Sequence, residues 1–570
     1  MKKTLIFLES ATKKKTIQSF LGENYIIFAT SGHLWELKKS GFYNLGVDLE
    51  SFKPTYEIIP GKQTLINFWK GFLKKEEISL IYLATDPDRE GEGIAEEVIR
   101  LLELKPEQYQ RLLFYEITPR NVREALNKPL TINKNLVEAQ ISRQVLDRMI
   151  GFCLSTVLRK KLQALSAGRV QSVVLKIIVE RELIIKNYEK NQDYIVCGIC
   201  QLNEKKITLR QINNKGELIV YKEKQEAEEV KKNLNLIFEF TSKKEEQKFI
   251  IPKPPLITSL LLFEAKSQLG LSVAQTTRAV QKLYEGIWIN EKKKQVGLIT
   301  YPRTDSTRIN QEFINQAYNY IKNKWGQIYC NFQPLWEKKK KVNIQDAHEA
   351  IHPTYLDYHP DEIKNSLSEE EYQVYKLIFN HTLASLMSPA KINRITYNFL
   401  NNNYLFTTSE RINQFAGFLA CAPEIYFPIY NVKLKSDLEG ILQLEAKKNE
   451  VQEYIENKPT RHNEGSVVQE LERLGVGRPS TYNTFGRILI ERGYIKVNQK
   501  GQLIPTELGF LVNNWLQTNF PNLINEKYTA HLEKELDEIS QGQNNYHDFI
   551  KNFWDKFYQE ILKISPLEKH

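Results

Sequence analysis

The sequence predicts a multidomain protein that combines an α/β unit with separate α and β units. Three observations carry that prediction. The chain up to about Tyr115 alternates strand-like and helix-like runs; two strand-rich stretches flank a helical block in mid-chain; and the remaining segments have helical periodicity. With 570 residues the chain exceeds what one hydrophobic core holds, so roughly three to five domains are expected.

The amino-terminal alternation begins with Thr4-Leu5-Ile6-Phe7-Leu8, a short apolar strand ending at Glu9, and Thr16 to Leu21 reads as helix. A second apolar run, Leu80 to Thr85, ends in Asp86-Pro87-Asp88-Arg89-Glu90-Gly91-Glu92 and is followed by an amphipathic helix, Ile94 to Leu102. Such alternation argues for a parallel sheet, whose active crevice lies beyond the carboxyl ends of the strands. Glu9 and the Asp86 cluster both sit at strand ends, so both can face that crevice. Hard oxygen ligands packed this closely suit Mg²⁺. The competing reading is a solvated acidic loop opening a helix, where carboxylates favour the helix dipole. A second strand end carrying Glu9 strengthens the metal reading.

Thr118 to about Lys186 is helical, with Ala139, Val145, Ile150 and Leu154 on an apolar face interleaved with Arg143, Asp147 and Arg148. Asp193 to Tyr221 alternates as strands around an Asn213-Asn214-Lys215-Gly216 turn, and a similar stretch returns from Arg394 to about Leu444. Between them Pro254 to Ser388 is mostly helical, opened by Pro252-Lys253-Pro254-Pro255. One discontinuous β domain carrying another domain at its tip is expected; two separate β domains are the alternative. From Pro459 onward the pattern is helical. Val467, Val468, Leu471 and Leu474 form a stripe closed by Gly475-Val476-Gly477, and Pro479 is expected to start the next helix. Tyr494 to Val497, a Gly501 turn and Leu503-Ile504 read as a hairpin, so the segment resembles a winged helix that holds nucleic acid, with a plain helical subdomain as the alternative. The runs Lys292 to Lys294 and Lys338 to Lys341 read as solvated loops.

Lys and Arg number 79 against 69 Asp and Glu, a net charge of +10 that favours an acidic partner such as nucleic acid. The five cysteines are too scattered for a disulfide framework, and Cys197-x-x-Cys200 lies in a strand pattern with no second pair to complete a zinc site. No apolar span suits a membrane, and Met1-Lys2-Lys3 runs straight into a core-like strand, so a cytoplasmic protein is expected.

The second chemical motif is Leu298-Ile299-Thr300-Tyr301-Pro302-Arg303-Thr304-Asp305-Ser306. A tyrosine hydroxyl can attack a phosphodiester and hold the broken strand covalently. Arg303, two residues on, offers a forked donor to the charge developing on phosphorus.

With these pieces in place the sequence resembles the type IA DNA topoisomerases, on their bacterial topoisomerase I branch. The resemblance spans almost the whole chain. Its markers occur in family order: Glu9-Ser10-Ala11-Thr12-Lys13, Ser31-Gly32-His33-Leu34, the Asp86 cluster, Leu165 to Ser172, Thr300 to Ser306, Asp346 to Ile351 and Leu474 to Tyr482. The resemblance implies a Toprim domain (1–117), a helical DNA-binding domain with winged-helix-like parts (118–186 and 447–570), a β-rich arch (187–253 and 389–446) and a tip domain with the tyrosine (254–388), closed into a torus. It also implies ATP-independent, Mg²⁺-dependent relaxation of negatively supercoiled DNA through a 5′-phosphotyrosine link, acting on a single-stranded segment, by a monomer.

Residue roles follow from the same resemblance. Tyr301 is the nucleophile. Glu9 moves a proton to and from the 3′-oxygen, binds metal, or does both in turn. Lys13 and Arg303 stabilise the transition state, and His348 and Glu349 position the scissile phosphate or orient Arg303. Asp86 and Asp88 are the preferred Mg²⁺ ligands, with Glu9 and Glu90 in support. His33, Arg143, Gln144, Asp147, Arg159, Ser166, Ala167, Gly168, Arg169, Val170, Gln171, Arg303 and Arg492 are expected to handle DNA, with Gly168 allowing close backbone approach. The chain departs from the family at Ala11-Thr12, where Pro-Ala is usual, and at His352, where Arg is usual, which puts one phosphate contact in question. The chain ends at His570 without the Cys-rich zinc ribbons that many relatives carry, and weaker processivity is expected from that. A topoisomerase III-like decatenase is the nearest alternative, although no large basic insertion suggests a decatenation loop. A Toprim primase or nuclease, which would not need Tyr301 with Arg303, and a non-catalytic DNA-binding scaffold are more distant ones.

Overall fold

Residues 3–162, 164–188, 193–331, 333, 348–454 and 459–564 are described in the computed structural model. Asp346-Ala347 and the Lys338 to Lys341 run lie outside them.

Four parallel strands build the amino-terminal sheet: β1 (Lys3–Leu8), β2 (Tyr25–Ala29), β3 (Ile78–Leu83) and β4 (Tyr109–Arg111), in the order β2-β1-β3-β4. Alternate β1 side chains serve two cores. Leu5 and Phe7 pack beneath α2 (Lys62–Lys75) and α3 (Arg89–Leu102), with the Phe7 ring edge-on to Trp69 at 4.9 Å. Ile6 and Leu8 face a core shared with Leu283, Leu298, Ile299 and Tyr301. Burial on both faces is what a parallel sheet requires, and here it docks the tyrosine-bearing segment directly on the sheet. The first helix, α1 (Ala11–Gln18), starts earlier than the apolar pattern suggests, because Ser10 caps it by accepting from the amide of Thr12 at 3.1 Å.

Helices α4 (Lys134–Leu162) and α5 (Arg169–Tyr188) pack with α6 (Glu526–Ser540) in a core that includes Val145, Ile150, Val174, Leu532 and Leu536. Glu464–Leu474 closes on Gly475 at φ +72°, as its sequence indicates. The next helix, however, is Phe485–Glu491 and does not start at Pro479. Thr481 diverts the chain: its hydroxyl accepts from the Arg478 amide at 2.9 Å while its own amide donates to the Arg478 carbonyl at 2.8 Å, a side-chain turn competing with the helix. The hairpin Ile495–Val497 with Leu503–Pro505 forms around Gly501.

The two strand-rich stretches join in one closed antiparallel barrel. Its strands are β5 (Asp193–Leu202), β6 (Lys205–Ile212), β7 (Ile237–Ile250), β8 (Ala390–Asn401), β9 (Tyr404–Phe415) and β10 (Gln443–Tyr454), ordered β8-β9-β6-β5-β10-β7. The expected join at 446/447 therefore falls within β10. Cys197 and Cys200 lie three apart on β5 and enter different cores, so they are packing residues. Between β7 and β8 the chain forms Thr258–Leu269, Val273–Glu285, Gln311–Trp325 and Glu369–Leu386, with a small hairpin at Ile287–Ile289 and Lys294–Val296. Among the described residues no helix is long and apolar enough to cross a membrane.

Candidate active site

The acidic loop after β3 is shaped by Arg111, a residue with no sequence signal. Its guanidinium is buried and donates to the carbonyls of Leu83 at 2.9 Å, Thr85 at 3.0 Å, Leu112 at 2.6 Å and Asp86 at 2.8 Å, while Nε bonds Glu92 at 2.8 Å. Gly91 is obligatory, since a Cβ there would sit 2.1 Å from the Asp86 carbonyl oxygen. Asp88 then caps α3 by accepting from the Gly91 amide at 2.9 Å. One of the cluster's acids therefore serves the helix, as the competing reading expected.

Asp86 is 1% exposed and forms an ion pair with the ammonium of Lys13, itself buried and 5.0 Å from the centre of the Tyr284 ring. Burial pulls the Lys13 ammonium below the usual lysine range, against the nearby Glu9 charge. Burial pushes the Glu9 carboxyl up, opposed by Lys13. Glu9 Oε2 and Asp86 Oδ2 are buried and lack hydrogen-bond partners among the described residues. Bare buried carboxylate oxygens are costly, and these two suit a hard cation. The other acids are already engaged. Glu90 holds His33 Nε2 at 3.1 Å, and His33 Nδ1 lies 2.6 Å from Glu97. Burial opposes charge on His33, but the hydrogen bonds to Glu90 and Glu97 drive it up to about 10, so it is an imidazolium with both nitrogens occupied. Among the described residues no group of three or more His, Cys, Asp or Glu side chains is arranged to hold a metal ion.

Tyr301 is 2% exposed, and its amide donates to the Tyr115 carbonyl at 2.8 Å. Its hydroxyl donates to Asp88 Oδ2 at 2.7 Å, and Arg303 Nη1 reaches the same oxygen at 3.2 Å. Tyr284 lies edge-on to the ring at 5.3 Å and the His348 ring is 5.9 Å away. Burial, then the Asp88 charge, raise the phenol well above its ordinary range. Burial would also raise Asp88, but the Arg303 charge and the Tyr301 and Gly91 hydrogen bonds hold it below the usual carboxylate range. The pair is therefore a neutral phenol on a carboxylate. Burial lowers His348, which stays neutral.

Glu349 does not reach Arg303. It accepts from Asn310 Nδ2 at 2.9 Å and meets His352 Nε2 at 3.2 Å, while His352 Nδ1 lies 2.7 Å from the Pro353 carbonyl oxygen. The residue standing where the family has Arg is thus buried and fully engaged.

The expected DNA-handling residues divide in two. Arg143 lines the cleft, donating to Ser480 at 3.0 Å with Glu90 at 3.8 Å. Gln144 is half-buried beside it on α4. Arg169, expected to touch DNA, is buried: Nε bonds Asp147 at 2.8 Å and Nη1 bonds Glu533 at 2.5 Å. Gly168 has no left-handed φ; a Cβ there would meet the Gln171 amide at 3.1 Å, so it makes room for Gln171. Ser166 is clamped by the Tyr494 hydroxyl through its amide at 3.1 Å and its carbonyl at 2.8 Å, and the Ala167 amide bonds Ser155 at 3.2 Å. Val170 packs near Gly477, Arg159 is exposed with Nε on the Ser155 carbonyl, and Arg492 Nε is buried without a partner among the described residues. Sequence reading missed Arg89, Arg478, Glu533 and Asp537, because their partners lie far away in the chain. Asp537 of α6 joins Arg89 at 2.7 Å and also pairs with Arg478.

Glu533 is fully buried among arginines. Burial would raise it, but Arg169, Arg143, Arg478 and Arg89 pull it down to about 2. It therefore contributes stability above an ordinary Glu value that is lost as pH falls toward 2. Glu533→Gln is expected to lower stability by about 3 kcal/mol at pH 7, because it leaves a buried arginine short of charge. Urea melts at pH 7 and pH 3 check this, and the deficit should shrink at the lower pH.

A cleft of about 270 Å³ joins these pieces, lined by Asp88, Arg143, Arg303, His348, Arg478 and Ser480 among others. It brings together the acidic loop, the tyrosine segment and α6.

The chain matches the family model described as DNA topoisomerase over residues 131–551 and that of the Toprim domain over residues 4–117. It is 36% identical over 618 aligned positions to DNA topoisomerase 1 of Mycoplasma genitalium, covering all of this chain and 86% of the relative. It superposes on full-length topoisomerase I from Thermotoga maritima with a TM-score of 0.80 at 33% identity, covering 98% of this chain and 90% of the other.

Proposed function

The chain belongs to the bacterial DNA topoisomerases and is a type IA enzyme with an amino-terminal Toprim domain, and on that footing we propose how its cleft breaks and rejoins a DNA strand. One observation carries the reading: the Tyr301 hydroxyl meets Asp88, from a segment 213 residues away, with Arg303 on the same oxygen. A nucleophile, a cation and an acidic loop converge at one point.

The Tyr301 oxygen forms a bond to phosphorus of a single-stranded segment while the bond from phosphorus to the 3′-oxygen breaks. The phenol proton leaves toward Asp88, to which it is already hydrogen-bonded. Glu9, whose proton affinity burial raises, gives its proton to the departing 3′-oxygen. Resealing reverses each transfer: the 3′-hydroxyl attacks the phosphotyrosine, Glu9 takes the proton back and Tyr301 is released. Arg303 and Lys13 balance the charge growing on the phosphoryl oxygens. No ATP enters, since the phosphotyrosine conserves the bond.

Mg²⁺, when bound, supplies positive charge toward DNA phosphate. Asp86 would hold it with Glu9 once deprotonated, the two acids with bare oxygens; Asp88 and Glu90 would join only on releasing Tyr301 or Arg303 and His33. Arg143 and Arg89, whose Nη1 is buried and unpartnered among the described residues, face the strand in the cleft. Arg169, Asp147 and Glu533 position that wall. His348 abuts the tyrosine, and Glu349 steadies His352 and Asn310. The four-unit division given by the sequence, a monomeric state and a cytoplasmic setting complete the proposal.

Negatively supercoiled plasmid is expected to relax only when Mg²⁺ is present, faster than linked gapped circles separate. Decatenation outpacing relaxation would favour the topoisomerase III-like reading. Free cut ends without a protein adduct would favour a nuclease.

A further inference from the structure

We propose that the outer face of the barrel carries a second DNA site that grips the phosphate backbone of duplex DNA, apart from the cleft that cuts. The proposal rests on the preceding reading only in taking DNA as the polyanion. The face is a groove of about 1090 Å³ on β6, β7, β8 and β9. It exists because β6 and β9 pair only at Leu405–Thr407 with Ile212–Arg210 and then part, although both strands run on.

The charge in this groove is one-sided. Eight Lys or Arg side chains line it against Glu246 and Glu410, in a chain whose whole excess is +10. Lys205 is paired with Asp437, Lys433 with Glu410 and Asp437, and Lys244 with Glu246. Lys206, Arg210, Lys215, Arg394 and Arg411 have no carboxylate within ion-pair distance among the described residues, and all five are exposed. Moreover, Arg394 stands directly opposite Arg411 in the β8–β9 register. Like charges at directly opposed sheet positions work against folding, so an anion bridging them gives the pair a purpose.

The rest of the lining tells what kind of anion. Thr396 faces Ser409 and Asn398 faces Thr407 across the strands, a lattice of neutral hydrogen-bonding groups between the cations. Hydroxyls, amides and cations together are the chemistry of phosphate contacts that position without reading sequence. Among the described residues no aromatic side chain lines the groove, which leaves no ring there on which unpaired bases could stack, as single-strand sites require. A double helix offers its phosphates outward and needs no stacking.

The test replaces Lys206, Arg210, Arg394 and Arg411 together with Gln in the full chain. Binding of a blunt duplex is then followed across a salt series, beside cleavage of a short single-stranded oligonucleotide. Duplex affinity should fall at least about tenfold and the slope of log K against log salt should flatten by about 3, while oligonucleotide cleavage is unchanged. The melting temperature should not fall, since the Arg394–Arg411 repulsion is removed. Unchanged duplex affinity and slope would overturn the proposal. So would inorganic phosphate alone raising the melting temperature of the parent but not of the variant with duplex binding equal in both, which marks a free-anion site. Loss of oligonucleotide cleavage in the parent protein would instead count against the reading of the cleft.

Discussion

Tyr301→Phe should abolish both the covalent DNA adduct and plasmid relaxation, with activity falling at least ~10,000-fold, while the protein stays folded. The expectation of intact folding comes from the packing. The ring remains wedged beside Tyr284 and His348, and only the hydroxyl bond to Asp88 is lost. Asp88 keeps the Gly91 amide and Arg303, so it is not left bare, and the cost should be about 1 kcal/mol. The neighbouring Tyr284 does not stand ready to substitute: it is buried with its hydroxyl donated to the Phe114 carbonyl at 2.6 Å. Denaturant-trapped adduct, linking-number change and thermal melting measure the three parts separately. Residual relaxation accompanied by an adduct would place the nucleophile elsewhere.

Much of this site was legible in the sequence because its parts are local. Strand ends followed by Glu9 and by the Asp86 cluster, and a tyrosine two residues before an arginine, need only short-range pattern. Their meeting was inferable from parallel-sheet topology, since both acidic segments leave the same edge. The supporting residues were not legible. Arg111 organises the acidic loop by binding carbonyl oxygens, and backbone acceptors leave no mark in the sequence. Glu533 and Asp537 meet Arg169 and Arg89 across 364 and 448 residues, separations at which pattern carries no information. The Arg169 case shows the consequence. A matched motif named it as a DNA contact, and pattern gave no sign that it is buried between the carboxylates of Asp147 and Glu533. Pro479 likewise carried a helix-start signal that the Thr481 hydroxyl overrides two residues later. The barrel was half legible. Alternation announced its strands except β7, but whether two stretches nearly two hundred residues apart close on each other is decided by β6 against β9 and β5 against β10, pairings with no local signal.

Asp86→Asn should separate the two halves of the reaction. Relaxation and resealing are expected to fall about 100-fold, while initial cleavage of a single-stranded oligonucleotide falls less than about fivefold. The reason lies in what each acid touches. Asp88 is bonded to the nucleophile, so changing it disturbs cleavage directly. Asp86 touches only Lys13 with one oxygen and leaves the other without a partner among the described residues. Its work is therefore with charge brought by the DNA or by Mg²⁺, which matters most when two separated ends must be realigned. Asparagine is the informative replacement. Both replacements remove the charge opposite Lys13, but asparagine's amide oxygen can still accept its hydrogen bond, whereas alanine loses that bond as well and should cost about 3 kcal/mol of stability. Comparing the two variants by melting temperature isolates that structural term from the catalytic one. Adding Mg²⁺ over a wide range to Asp86→Asn then tests the metal directly: partial recovery of resealing at high Mg²⁺ is expected, with cleavage unchanged. If cleavage instead falls in step with relaxation and Mg²⁺ restores neither, Asp86 acts on the breaking bond, and the separation of cutting from sealing does not hold.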